Sequence, residues 1–513
     1  MYLSYTRKVV LILKGADYNN QMFKQIEELM KEISSVKADL KETKLKSSEE
    51  IRILKLEHQK EIQRLKKENE ALREVIKQKD KKIEMLETEI ERLKKIINNN
   101  SNNSSNPPST DIKPNKKIPN NRERSGKKVG GQKGHKPYIL AKKDVEENIK
   151  CGKFEHKVYT HGKSSNSYKS KYVLDTKVSV VAIEHRFYAD EKGKYNIPKE
   201  FQTDVQYGEN LKTLCTVLST EGYVAIERIS NLIKNITSEK LNLSTGTIVN
   251  FITEFNRKAN ATLESIKENI LNATQIRTDA TGARAENMNC FVRNYSTPKC
   301  SLLIASKGKS RKYIEETGIL NQYVGTIIHD HETVIYNYGT RHGECNVHIS
   351  RYLKGCVENT NHKWAKDMRS FLCCLNEYKK DLISQGMMAI RKEKLERFSK
   401  RYDEILENGF KENEKLKSKY YKADEKRLLN RLEKYKENHL LFINDFSVPF
   451  DNNLSERDLR HVKSKIKISG CFRSLQGLQN YLNAKSIIET CKKKNLNFYE
   501  IILNLFKKIP VSV

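Results

Sequence analysis

Two aspartates stand directly behind short apolar runs. Asp279 closes Gln275-Ile276-Arg277-Thr278, and Asp330 ends Val324-Gly325-Thr326-Ile327-Ile328-His329. An acid so placed sits at the carboxyl edge of a sheet, where open α/β sheets bind ligands. Glu456 lies early in the helix expected after Pro449-Phe450-Asp451-Asn452-Asn453. Acids gathered from such places can hold hard divalent ions such as Mg²⁺, which take carboxylate and water oxygens. Phosphodiester strand transfer needs two such ions about 3.5–4 Å apart, one at the attacking oxygen and one at the leaving oxygen. Ordinary readings compete. Each Asp also suits a turn, and Glu456 suits a first helical turn, where the dipole favours an acid. Spacing alone does not single out these three from 65 acidic residues. Cys345 and His348 have the spacing of half a zinc site, but no second pair lies nearby, so packing is the plainer account.

The elements that must hold these residues can be read from hydrophobic periodicity. Gln275–Thr281, Asn289–Tyr295, Ser301–Ala305 and Gly325–Asp330 read as strands, with a helix at Arg311–Glu316. Three strands, a helix and a further strand predict a mixed sheet covered by helices. A long helical region rich in Lys and Glu follows from about 347 to 441, and another helix starts near Asn453. Before the sheet, Leu211–Ser219 and Val224–Ile236 read as helices. Ser244 is placed to N-cap a third, Thr245–Phe255, with Ile248, Phe251 and Ile252 facing inward. Short helices with polar turns fit a helix-turn-helix or an ordinary helical subdomain equally well. Residues 170–205 predict short strands, for instance Lys177–Ala189.

Nearer the N-terminus, Ile62 to Ile97 follow a heptad. Position a is Ile62, Asn69, Ile76, Ile83, Ile90 and Ile97, and position d is Leu65, Leu72, Lys79, Leu86 and Leu93. Ile at a with Leu at d favours two parallel strands, and a lone Asn at a fixes register. The alternative is a single solvated, charge-laced helix, but nine of the eleven seam positions are Ile or Leu. The reading is therefore a dimeric coiled coil, with a poorer register over 22–61. Between Ser101 and Lys143 stand eleven Lys/Arg and two acids, with Gly130-Gly131 and Gly134 among them. That stretch is expected to be disordered alone, serving as a basic arm on phosphates or as a plain linker.

The whole chain of 513 residues carries 96 Lys+Arg against 65 Asp+Glu, a net +31. Such a surplus repels itself unless a polyanion neutralises it, and nucleic acid is the commonest polyanion. No apolar run is long enough to span a bilayer. Val9–Leu13 is shorter than a signal-peptide core, so the expected location is the cytoplasm. The ten cysteines include no C-x-x-C, so free thiols are expected.

Pro449-Phe450-Asp451-Asn452-Asn453-Leu454-Ser455-Glu456-Arg457-Asp458-Leu459-Arg460 resembles the P-x-D-N-N-x-x-E-R-x-L-R string of the insertion-sequence 66 transposase family. Asp279-Ala280-Thr281 is similar to that family's Asp-Glu-Thr, without the middle acid. Asp330 falls where the second acid is expected, with His331 in place of the usual Gly. Cys345-Asn346-Val347-His348 resembles its C-x-x-H. Residues 101–109 resemble its S-S-N-S-S-K-P-P-S linker, residues 125–135 its basic Gly-rich arm, and Leu243–Thr247 its helix-turn-helix region. The resemblance runs from about residue 60 to 485. One part departs: Cys151-Gly152 remains of a small zinc module, but the partner cysteine and the second pair around Tyr188–Pro198 are missing. His156 and His161 do not complete a closed site, so no structural zinc is expected.

The resemblance implies a multidomain α/β protein with an N-terminal coiled coil, a helix-turn-helix-like DNA-binding region and a ribonuclease H-like mixed-sheet catalytic core carrying a long helical insertion. The expected boundaries are an unassigned 1–21, a coiled coil at 22–100, a disordered basic linker at 101–145 and a degenerate zinc-finger-like module at 146–206. A helix-turn-helix-like region at 207–265 follows, then a catalytic domain at 266–485 with an insertion at about 357–448, and a helical tail at 486–513. It further implies a bacterial, nucleoid-associated transposase that cuts and joins DNA. Asp279, Asp330 and Glu456 would be catalytic and would hold two Mg²⁺ or Mn²⁺ ions. Lys127, Lys128, Lys133, Ser244, Thr245, Thr247, Arg457, Arg460 and Lys463 would touch DNA, with the run on to Lys467 also meeting the backbone. The implied partners are element ends, target DNA, a second copy through the coil, and small accessory proteins, with no membrane. The alternative is a catalytically inactive coiled-coil DNA-binding protein or repressor derived from a transposase.

Overall fold

The computed structural model describes residues 26–38, 40–41, 61–100, 103–104, 141–161, 168–201 and 203–513. The basic arm, with Lys127, Lys128 and Lys133, lies outside these residues. The chain divides into two compact units. One comprises Met1–Asn115, Glu209–Val224 and Phe251–Val513, and the other comprises Lys116–Gly208 and Ala225–Asn250.

The larger unit is built on a five-stranded mixed sheet of order β3-β2-β1-β4-β5. β1 (Gln275–Ala285), β2 (Met288–Ser296) and β3 (Ser301–Ser306) form an antiparallel meander. β4 (Thr326–His329) pairs parallel to β1, and β5 (Arg341–Glu344) pairs parallel to β4. The four expected strands and the helix Arg311–Glu316 are all present. β1 runs to Ala285, so Asp279 lies inside a strand rather than at its end. β5 was not expected, because Arg-His-Gly-Glu carries no apolar alternation for a sequence reading to detect.

Each face of the sheet has its own core. On one side Ile276, Tyr295, Leu302 and Ile327 pack with Ile266 and Ile270 of the helix Asn260–Leu271 and with Ile487 and Ile488 of the helix Leu475–Lys493. Ile502, Leu505, Phe506 and Val513 join the same cluster. The expected tail at 486–513 is thus core. The helix Leu475–Lys493 runs straight through the expected boundary at 485, because its residues are buried on both sides of it. On the other side Ala283, Val292 and Leu303 meet Leu459 and Val462 of the helix Asn453–Ser469.

The outer edge of β3 is closed by side chains. The backbone N–H groups of Ser301, Leu303 and Ala305 donate to Thr490 Oγ1 (3.1 Å), Ser486 Oγ (2.9 Å) and Gln479 Oε1 (2.8 Å). An open strand edge is a template for pairing with another chain, and here one helix face satisfies it.

After β5 come the helices Asn346–Thr360, Lys363–Ser384, Lys392–Glu414, Lys419–Lys434 and Lys436–Asn444. They form a core of their own around Trp364, Met368, Leu372, Tyr402 and Leu429. Lys379 reaches out of this core to pin the turn before Pro449, donating to Phe442 O (2.9 Å) and Val448 O (2.6 Å).

The heptad segment is one helix, Glu61–Asn98. Its d-position Leu86 and Leu93 are buried within the chain, while a-position Ile76 and Ile83 are exposed. Glu91 Oε2 accepts from Ser418 Oγ (2.6 Å), and Lys95 pairs with Asp424 on the helix Lys419–Lys434. All ten cysteines are free thiols. Among the described residues no helix is long and apolar enough to cross a membrane.

In the smaller unit, Lys142–Lys150 and Ile226–Ile236 are helical, and the helix Thr245–Lys258 begins there. The helix from Thr245 starts as expected: Ser244 Oγ accepts from Thr247 N at 3.0 Å, and Ile248 is fully buried. The expected region 207–265 is divided, with Glu209–Val224 and Phe251 onward belonging to the larger unit. Among the described residues of 170–205, the expected strands are absent. From 168 to 201 the only pairing is an isolated bridge between Ala189 and Tyr195. Val173, Val181 and Ile183 are exposed there, so the β-branched residues that suggested a strand have neither partner nor core.

Candidate active site

Asp330 follows β4 directly, and the parallel register that sets Arg277 beside Ile328 carries Asp279 alongside Asp330. The third acid arrives from the far end of the helical region. Its approach is fixed by the loop Asp451–Asn453. Asn452 is fully buried, and its Nδ2 donates to Thr278 O (3.0 Å) and Asp330 Oδ1 (3.2 Å). Its backbone N–H donates to Cys345 Sγ at 3.3 Å. One side chain therefore ties the middle of β1 and the end of β4 to the start of the helix that bears Glu456.

His348 lies among the acids. Its Nδ1 is 3.4 Å from Asp330 Oδ2 and its Nε2 is 3.9 Å from Glu456 Oε1. Only 7% of this residue is exposed. Burial disfavours the imidazolium, but Asp330 outweighs it and raises the His348 pKa to about 11. Asp279 is pushed up to about 6 by burial and by the charge of Asp330. Asp330 goes the other way: burial pushes it up, but His348 and Asn452 pull it below the usual carboxylate range. Two neighbouring carboxylates with pKa values driven apart are a common mark of a functional site.

The helix Asn453–Ser469 is anchored two residues beyond Glu456. Asp458 Oδ2 accepts from Ser296 Oγ (2.5 Å), Ser301 Oγ (2.8 Å) and Lys493 Nζ (2.6 Å). Asn294 Nδ2 donates to that same Ser296 Oγ (2.9 Å), and Asn294 Oδ1 accepts from the Asp279 N–H (2.9 Å). A continuous polar chain thus links the backbone of the first acid to the helix of the third.

The residues fit hard cations. Glu456 Oε1 and Asn452 Oδ1 are buried oxygens without a hydrogen-bond partner, and the carboxylates of Asp330 and Glu456 flank His348. Buried oxygens of this kind usually find a partner, so orphans aimed at an acidic cluster suit an ion.

Of the residues expected to touch DNA, Arg457, Arg460 and Lys463 are exposed on the Glu456 helix, and Arg460 lies 4.0 Å from Glu456. Lys465 is different. It is buried and donates to Ser219 O (3.0 Å) and Val224 O (2.8 Å), so the run Lys463–Lys467 does not face outward as a whole. Ser244 and Thr245 are exposed and Thr247 is half-buried, with Ser244 Oγ already engaged as a cap. Cys151, His156 and His161 are all exposed.

Sequence reasoning left His348 as packing, although the C-x-x-H spacing was the available signal. Asn452 was quoted only as part of a string, and its role as a tie between two strands and a helix becomes visible only in three dimensions.

Residues 47–138 match the model of a family of unknown function, DUF6444. That match covers the upstream coil and linker, where the resemblance was expected to begin. No curated protein matches the chain. The model of the transposase IS66 family matches residues 204–480, which span the sheet, the helical region and all three acids. That match covers more than half of the sequence, and the chain belongs to the transposase IS66 family.

Proposed function

We propose that this transposase cuts and joins DNA strands with Asp279, Asp330 and Glu456 as its catalytic acids. The observation that carries the reading is the convergence of Asp330 and Glu456 on His348, with Asp279 beside Asp330 in the adjoining strand. The sheet order, an antiparallel meander followed by two parallel strands, supports a ribonuclease H-like core.

The three carboxylates would hold two Mg²⁺ or Mn²⁺ ions, which activate the attacking oxygen and stabilise the leaving one. The chain's own residues prepare that arrangement. Asn452 and Asp458 fix the Glu456 helix against β1, β2 and β4, so the acids need no large rearrangement to meet. Asp330 is held ionised by His348 and Asn452. Arg457, Arg460 and Lys463 give a positive rim on the same helix, suited to phosphates. A water would cleave a phosphodiester at the element's end, and the freed 3′-hydroxyl would then attack target DNA.

The helices around Ser244, Thr245 and Thr247 and the basic arm with Lys127, Lys128 and Lys133 are proposed as further DNA contacts. The exposed Ile76 and Ile83 support pairing of two copies through the Glu61–Asn98 helix, which would hold two element ends together. Substituting both by Glu should leave a monomer by light scattering, and unchanged mass would reject that pairing. Small accessory proteins of the same element and a place on the nucleoid complete the proposal.

The test is cleavage of DNA bearing the element's inverted repeats, with Mg²⁺ supplied. Asp279→Asn should lower the rate by at least about a thousandfold, the cost of several kcal/mol of transition-state stabilisation. Binding without any cleavage by the unaltered chain would instead favour an inactive repressor.

A further inference from the structure

The acids share their space with a softer set of ligands. Asp330, Cys345 and His348 each offer one ligand atom, and these atoms all lie within 4.8 Å of one another. Cys345 is 1% exposed and His348 7%. His348 Nδ1 is buried and makes no aligned hydrogen bond, its ion-pair partner Asp330 Oδ2 lying 3.4 Å away. Its 3.4 Å separation from Asp330 Oδ2 is close to the edge of a tetrahedron around Zn²⁺, about 3.3 Å for ligand bonds of about 2.0 Å.

The surroundings match those of a metal site. Zinc-bound histidines present their second ring nitrogen to a carboxylate or a carbonyl, and here Nε2 lies 3.9 Å from Glu456 Oε1, with Arg351 Nη1 also beside it at 3.4 Å. The sulfur accepts from the Asn452 backbone N–H at 3.3 Å, a contact that stabilises a thiolate. Cys345 precedes the helix Asn346–Thr360 and His348 lies in its first turn, so both are set on one rigid element.

We propose that Asp330, Cys345 and His348 form a second, softer metal site that takes Zn²⁺ or Co²⁺ through one oxygen, one sulfur and one nitrogen. On binding, the metal–sulfur and metal–Nδ1 bonds form, and the thiol proton of Cys345 and the imidazolium proton of His348 both pass to solvent. Three protein ligands leave a fourth position for water. The site rests on the catalytic reading in one respect: it borrows Asp330 from the Mg²⁺ ligands. Soft-metal occupancy and the catalytic arrangement are therefore mutually exclusive, and Zn²⁺ acts as an inhibitor that locks the acid away from Asp279.

Co²⁺ is the probe, added to the full chain after chelator treatment. The expected result is one Co²⁺ per chain with a thiolate-to-Co²⁺ charge-transfer band and the intense visible bands of a four-coordinate ion. Cys345→Ser and His348→Gln should each abolish the charge-transfer band, with circular dichroism confirming the fold. His348→Gln retains the thiol and so serves where Cys345→Ser fails to fold. Asp279→Asn should keep the band, and so should the double variant Cys373→Ser/Cys374→Ser. A wild-type chain without the band overturns the proposal, as does a band that survives Cys345→Ser. The catalytic reading fails separately: a chain that binds Co²⁺ with the band but never cuts DNA loses the mechanism and keeps the metal site.

Discussion

At the scale of single residues, His331 shows what this chain has done with a position where its family usually has glycine. Its φ is +67°, in the left-handed region that a side chain with a Cβ enters at a cost of about 1–2 kcal/mol. The ring offsets that cost: Nδ1 lies 2.7 Å from Glu344 Oε1 and 3.1 Å from Tyr336 Oη. Glu344 is buried, and it also accepts from Arg431 Nη2 at 2.6 Å. A bond to a charged group is worth about 1.5–3 kcal/mol. His331→Gly should therefore relieve the backbone yet lose slightly more than it gains, with a net loss of about 1 kcal/mol in urea unfolding. A stabilised His331→Gly protein would mean that the ring contributes less than the strain costs. The three acids were singled out in the sequence only by resemblance, through the string around Glu456, the Asp279-Ala280-Thr281 segment and the place of Asp330. Nothing in spacing distinguishes Asp279 from other acids near strand ends, because what singles it out is a neighbour in space, Asp330.

At the scale of elements, Lys379 ties the helical region to the loop that delivers Glu456. Its amine is buried, and burial lowers its pKa from 10.5 to about 8. Between those values the unfolded chain binds more protons than the folded one, so stability from this group rises with pH across roughly 8 to 10.5. Lys379→Met should flatten that rise and leave Phe442 O and Val448 O without their donor. The loss is expected to be about 1–3 kcal/mol at pH 7, read by urea unfolding across pH. A pH profile identical to the wild type would show that the amine is not held as described. Elements were the most legible part of the sequence, for a physical reason. Arg311–Glu316 and the meander have a periodicity that burial must follow. β5 has none, since its polar residues are paired through the backbone. Lys177–Ala189 has the periodicity without any partner strand, and so forms no strand.

At the scale of the whole molecule, the charge of +31 has to be met by something. DNA binding should weaken steeply with salt, since each neutralised phosphate contributes about 0.9 to the slope of log affinity against log salt. Replacing Arg457, Arg460 and Lys463 together by Ala should lower that slope by up to about 3, measured by titration at several ionic strengths. An unchanged slope would remove the Glu456 helix from the DNA-binding surface. The expected break at 485 falls within a continuous buried helix, and the expected 207–265 region is divided between two units.

The side chains that close β3 have a consequence for shortened copies of such a gene. A chain ending soon after Arg460 would retain every acid the chemistry asks for. It would also lack Gln479, Ser486 and Thr490, leaving three amide hydrogens of an apolar strand facing water. Truncated copies should therefore be lost to clumping rather than survive as trimmed enzymes, and the last stretch of the sequence is as indispensable as the motif before it.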